Sequence, residues 1–200
     1  MAKTAAAIRV SALLLGLAGA AQAEEEALPD LASCMDTEIA RFERELRAFE
    51  GAGHAGRMFD IARTDGVEYC GTLGIVRCDR SDDPLACQRA LAGQQDELRE
   101  AVLSGLRLPP ALSGDEAFEV QLYRRVWALS QGRSAGPDCA GATPRFAHWC
   151  EAREANSRLR NAVLAWQLAR YLGLSAPAIE AGWAGPPSPV RPQPRPGSEQ

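Results

Sequence analysis

Residues 143–172 read TPRFAHWCEAREANSRLRNAVLAWQLARYL. This is the longest run in the chain with a helical period, and everything else has to be fitted around it. Thr143 is a candidate N-cap, because a hydroxyl there can accept an orphan backbone N–H, and Pro144 suits the first helical position because its φ is already helical. Gly173 supplies the stop. Trp149, Ala152, Leu159, Val163 and Trp166 recur at helical spacing and form one apolar stripe on a helix about 43 Å long. From Ala162 to Leu172 the strongly polar residues are Gln167 and Arg170, so this half must be covered on several sides by other helices. A membrane span needs roughly 20 apolar residues, more than this run offers. The expectation is an all-α chain.

Working outward, the 200-residue chain opens MAKTAAAIRVSALLLGLAGAAQA, with Lys3 and Arg9 ahead of an apolar core from Val10 to Ala21. Ala21-Gln22-Ala23 follows as a small-residue cleavage pattern. Residues 1–23 therefore read as a signal peptide cleaved after Ala23, which implies a periplasmic or secreted protein with no transmembrane segment in the mature chain. Residues 24–183 read as one helical domain. Residues 184–200, AGPPSPVRPQPRPGSEQ, are proline-rich with little to bury and read as a disordered tail. Pro189-Val190-Arg191-Pro192 matches a PxxP ligand only formally.

Lys3 is the only lysine, and residues 24–200 carry 20 Arg against 26 Asp and Glu. The charge is unevenly placed: 9 Arg and 18 acids lie in residues 24–100, and 11 Arg and 8 acids in residues 101–200. The two halves should attract. An acidic total argues against nucleic acid as partner, since phosphate binding requires a concentrated basic surface.

Six cysteines, Cys34, Cys70, Cys78, Cys87, Cys139 and Cys150, all lie beyond the leader and include no Cys-x-x-Cys. In an exported chain they read as three disulfides rather than a metal cluster, a redox pair or a haem site. Six cysteines allow fifteen connectivities, and spacing alone does not choose among them. The expected set is Cys34–Cys70, Cys78–Cys87 and Cys139–Cys150. The last is the firmest, because the glycine-rich link from Gly132 to Ala142 can fold Cys139 back onto the long helix; closing a loop of that size is worth about 3 kcal/mol.

Three more helices are expected. Met35, Ile39, Phe42, Leu46 and Phe49 form a heptad-like seam near 31–50, capped by Asp30. It covers about two heptads, so packing within one domain is a better use for it than a coiled-coil dimer. Asp83-Pro84 restarts a helix near 84–106, with Cys87, Leu91, Leu98 and Val102 on one face interrupted by Gln94 and Gln95. Ser113-Gly-Asp-Glu116 fits a capping box, opening a helix near 114–131 whose face is Phe118, Leu122, Val126 and Leu129, widened by Val120, Tyr123 and Trp127; Gly132 closes it. Residues 57–80 show no sustained period and read as irregular. Ser175–Ala181 reads as a short helical turn. The fold class is a single irregular bundle of about four main helices, stapled by disulfides.

Chemistry-bearing motifs are few. His54 sits in a glycine-rich loop and His148 beside Trp149, neither in a catalytic motif. There is no Gly-x-Ser-x-Gly, His-Glu-x-x-His or phosphate loop, and no cofactor signature. Glu151 and Glu154 keep a small secreted hydrolase as an alternative, because glycoside hydrolysis asks for two placed carboxylates; Glu154 and Arg158 also satisfy i, i+4 pairing on a solvated face.

The order Trp127, Cys139, Trp149-Cys150-Glu-Ala-Arg153, Leu159 resembles secreted lysozyme-inhibitor-like helical domains over about thirty residues. The tyrosine- and glutamine-rich approach helix of that family is not evident here, so the resemblance implies one concrete form of a binding protein without assigning the family. The favoured reading is an exported, non-catalytic binding or structural module of the cell envelope, its partner a protein or a small molecule. Arg153 and Arg160, seven residues apart on one flank of the long helix, are the candidate binding residues. Their competing role is internal pairing with acids of the first half, with Glu43 or Glu50 the expected partners.

Overall fold

The computed structural model describes residues 28–53, 58–107, 118–131, 139, 141–187 and 189. Among these residues it has five α-helices and no strand: α1 Leu31–Gly51, α2 Asp65–Asp79, α3 Pro84–Ser104, α4 Phe118–Gln131 and α5 Pro144–Tyr171. The leader at 1–23, His54, the Ser113 capping box, Gly132 and most of the proline-rich tail lie outside the described residues.

α5 is the central helix, packed on α2, α3 and α4. Ala152, Leu159, Val163 and Trp166 of its stripe have no exposed surface, and Trp149 at the upper end is half-buried. The helix stops where Gly173 adopts φ 68°. Leu174 N–H then bonds back to the Ala169 carbonyl (2.7 Å) and Gly173 N–H to that of Arg170 (3.1 Å), a Schellman closure that only a residue tolerant of positive φ makes cheaply. The following residues add one α-type turn, with Ala181 N–H on the Pro177 carbonyl. Trp183 then returns to the core edge-on against Trp166, centroids 4.9 Å apart.

α1 begins as its cap requires, with Ser33 N–H donating to Asp30 Oδ1 at 2.7 Å. Its seam is buried within the chain: Met35, Ile39, Phe42 and Leu46 are all inside, and Phe42 packs 5.3 Å from Trp166. Asp83 caps α3 through Ala86 N–H. Thr143 holds the N-cap position of α5 without a side-chain hydrogen bond. The disulfides join Cys34 to Cys70, Cys78 to Cys87 and Cys139 to Cys150, the expected pairing. Three such bonds suit a chain that folds in an oxidising compartment outside the cytosol, and no helix among the described residues is long and apolar enough to cross a membrane.

Two expectations are corrected. Residues 65–79 are helical rather than irregular. The buried face of α2 is Val67, Cys70, Gly71, Gly74 and Cys78, a helical period carried by small residues and half-cystines. Glycine there serves close approach: a Cβ on Gly71 would stand 2.1 Å from the Asn156 amide carbon of α5, and one on Gly74 would stand 2.8 Å from Leu91 of α3. Leucine-sized side chains would hold those helices apart. Gly71→Ala should therefore cost about 1–3 kcal/mol despite the better helix propensity, as overpacking does. Gly93→Ala on α3, where nothing lies within 4 Å, should stabilise by about 0.5–1 kcal/mol. Urea unfolding of the two variants checks the pair; equal signs would contradict the close-packing account.

The second correction concerns α4. Its buried residues are Tyr123, Val126 and Ser130, whereas Phe118 and Leu129, placed inward by the periodicity, are 72% and 57% exposed. The helix is rotated toward Tyr123, whose buried side chain reaches the Arg107 carbonyl with its hydroxyl. Burial pushes the Tyr123 phenol up to about 12. The unfolded chain then loses this proton earlier, near pH ~10, so the stability tied to the neutral phenol is complete below that point and is lost as pH rises toward 12. Tyr123→Phe should flatten the fall in stability between pH ~10 and ~12, measured by urea unfolding; unchanged slopes would remove Tyr123 as its source.

Buried polar side chains complete the interior. Gln88 and Gln95 of α3 are both inside; Gln88 donates to Asp79 Oδ1 and Gln95 to Asn156 Oδ1. Gln167 of α5 donates to the Arg63 carbonyl at 3.2 Å, fastening the segment that precedes α2.

Candidate functional site on the first half of the fifth helix

The first half of α5 is where chemistry-bearing side chains gather, because the helix leaves the core there and exposes two flanks. The bond from Cys150, fully buried, to Cys139 anchors this end, two turns inside the helix.

On one flank, Phe146, Trp149 and Arg153 follow each other at spacings of three and four and stack. The Phe146 and Trp149 centroids are 5.3 Å apart with planes 29° from parallel, and Arg153 Cζ lies 5.2 Å from the Trp149 ring centroid. Phe146 is 48% exposed and Arg153 is exposed. A guanidinium over an indole gains cation–π attraction while its N–H edge stays open to other acceptors. Among the described residues no carboxylate pairs with Arg153. Arg160, on the same flank, reaches Glu68 of α2, Nη1 to Oε2 2.9 Å, with side chains 40% and 60% exposed. Exposed pairs of this kind contribute about 0–1 kcal/mol, so the contact is easily exchanged.

Glu43 and Glu50, the acids expected to meet these arginines, are not their partners. Glu43 is occupied by Arg170, and Arg160 has chosen α2 because that helix, absent from the sequence reading, lies alongside α5 at this level. Phe146 was missed, although its i, i+3 relation to Trp149 and i, i+7 relation to Arg153 was available in the sequence.

On the other flank a polar cleft of about 480 Å³ opens between α3, α4 and α5. Arg158 forks onto Asp96 of α3, Nη2 lying 3.0 Å from both carboxylate oxygens and Nε 3.2 Å from Oδ1. Glu154 lies 3.9 Å from Arg158. The i, i+4 pair read on a solvated face is thus the weaker half of a part-buried triad, in which the bidentate cross-helix contact dominates. Arg99 adds a contact to Asp96 at 3.4 Å. His148 bridges Arg89 Nη2 at Nε2 (3.4 Å) and Glu151 Oε2 at Nδ1 (3.3 Å). Arg89 can only donate, so in this arrangement Nε2 accepts and Nδ1–H donates to Glu151. His148 is a linker between α3 and α5.

A thiolate metal site is not formed here. The Cys139 and Cys150 sulfurs and a Glu154 oxygen lie within 4.8 Å of one another, but both sulfurs are spent in the disulfide and a metal requires them as thiolates. The residues of the lysozyme-inhibitor-like order serve unlike ends: Cys139–Cys150 and Trp149–Arg153 form the corner just described, while Leu159 is core and Trp127 is half-buried on α4. No protein-family model, curated protein or solved structure matches the chain.

Proposed function

We propose that the chain is an exported, non-catalytic binding module of the cell envelope, periplasmic or secreted after removal of residues 1–23, and that it takes an anionic or carboxylate-bearing partner on the Phe146–Trp149–Arg153 ladder with Arg160 beside it. The observation that carries this reading is the ladder itself: an exposed guanidinium already held over a packed indole, with no carboxylate partner among the described residues. Tryptophan and arginine dominate binding hot spots, and side chains ordered before the encounter lose less entropy on binding. The polar cleft, by contrast, spends Asp96 and Arg158 on each other, which is a structural use of charge.

The test combines Arg153→Gln with Arg160→Gln and follows thermal unfolding together with capture of partners from a periplasmic extract. Stability should change by less than about 1 kcal/mol, as exposed charges allow, while capture is lost; Trp149→Ala should also abolish capture. Loss of several kcal/mol with capture intact would make these arginines structural and end the proposal.

A further inference from the structure

A second recess, separate from the arginine ladder, lies between the start of α1, the middle of α3 and the segment after α5. Its volume is about 380 Å³, inside the range of roughly 300–1,000 Å³ typical of small-molecule sites. Met35, Leu98, Ala101 and Trp183 supply its apolar walls, and Asp36 and Glu97 stand at its rim. Trp183 is fixed by its edge-on contact with Trp166. Gly185 N–H donates to Asp36 Oδ1 at 2.7 Å, so the segment after α5 is tied to α1 and the recess is built, not incidental to a loose end.

The charge that the described residues place on this recess has one sign. Among them, both ionisable residues lining it are carboxylates, no arginine lines it, and neither carboxylate makes an ion pair. We infer that the recess binds a small amphipathic amine, a short apolar chain or ring lying against Met35, Leu98 and Trp183 with a single cationic nitrogen between Asp36 and Glu97. An apolar body alone would leave the acids unused. An anionic head would meet two like charges lining the recess, a cost that grows as the site excludes water.

The experiment titrates the intact, oxidised protein with octylamine, octanol and octanoate at low ionic strength, read by calorimetry and by backbone amide shifts. Octylamine should bind one per chain, at least tenfold tighter than octanoate, and weaken as salt is raised. Asp36→Asn keeps the acceptor for Gly185 N–H and Glu97→Gln keeps the shape; each should weaken octylamine three- to tenfold and leave octanol unchanged. Ala101→Trp, at an exposed position of α3, should fill the recess and abolish binding while amide shifts elsewhere report an unchanged fold. Equal affinity for octanoate, or octylamine binding that survives Ala101→Trp, overturns the inference. So does a large gain in affinity on deleting residues 188–200, which would identify the chain's own tail as occupant. None of these outcomes bears on the arginine ladder, whose residues do not line the recess.

Discussion

Replacing Arg170 by methionine should lower the unfolding free energy by about 3 kcal/mol, toward the lower end of the range for removing one member of a buried ion pair. Arg170 sits in the last turn of α5, where the helix dipole favours a cation. Its Nε lies 3.0 Å from Glu43 Oε1 and its Nη2 3.1 Å from Oε2, with side chains 14% and 7% exposed. The hydrogen bond to Glu43 raises the guanidinium pKa above its already high ordinary value, outweighing burial, which pulls the other way. Without Arg170, the Glu43 carboxylate stays buried with, among the described residues, Arg47 at 3.7 Å, itself 61% exposed. That partial counterion is why the lower end applies. Glu43→Leu combined with Arg170→Met should recover most of the loss, since an apolar pair of similar volume avoids the desolvation of both charges. Urea unfolding with the disulfides intact gives all three values; a single-variant loss below 1 kcal/mol, or additive losses in the double variant, would show that the pair is not coupled.

Trp166→Ala should cost about 4 kcal/mol, as large-to-small changes of fully buried tryptophan do. The indole touches Phe42 of α1 and Trp183 beyond α5, and its N–H donates to the Ala176 carbonyl at 3.3 Å. Deleting it opens the junction of three chain segments, so the effect should have a local signature besides the global one. Amides from Ala176 to Trp183 should lose hydrogen-exchange protection well before those of α3. Uniform loss of protection, or a cost near 1 kcal/mol, would show that α1 and the returning segment close over the gap.

α1, α3 and α5 were legible because each carries its start signal and its apolar period within its own residues. Asp30 and Asp83 reach backbone N–H groups three residues away. α2 was not legible, because its buried face carries Gly71 and Gly74 in place of large apolar residues and so shows no sustained period; these are the small residues that let α2 approach α5 and α3. In α3, Gln95 looked like an interruption of the apolar face and is instead fully buried against Asn156. Arg153 and Arg160 lie seven residues apart on α5, and the acids expected to meet them are not their partners. The neighbours of that flank depend on α2.

The sequence by itself determined an all-helical fold, the starts of α1, α3 and α5, the stop of α5 at Gly173, the burial of the α1 seam, and six cysteines destined for disulfides. These follow from interactions spanning about four residues along the backbone or from composition. Only the tertiary structure decided that Glu43 belongs to Arg170, 127 positions away, that Arg158 prefers Asp96 of α3 to Glu154 of its own helix, that α4 turns Phe118 and Leu129 outward, and that a recess remains beside Trp183. The rotation of a helix about its axis and the distance at which it crosses its neighbours are set jointly by every side chain at the contact, and no local pattern contains that sum.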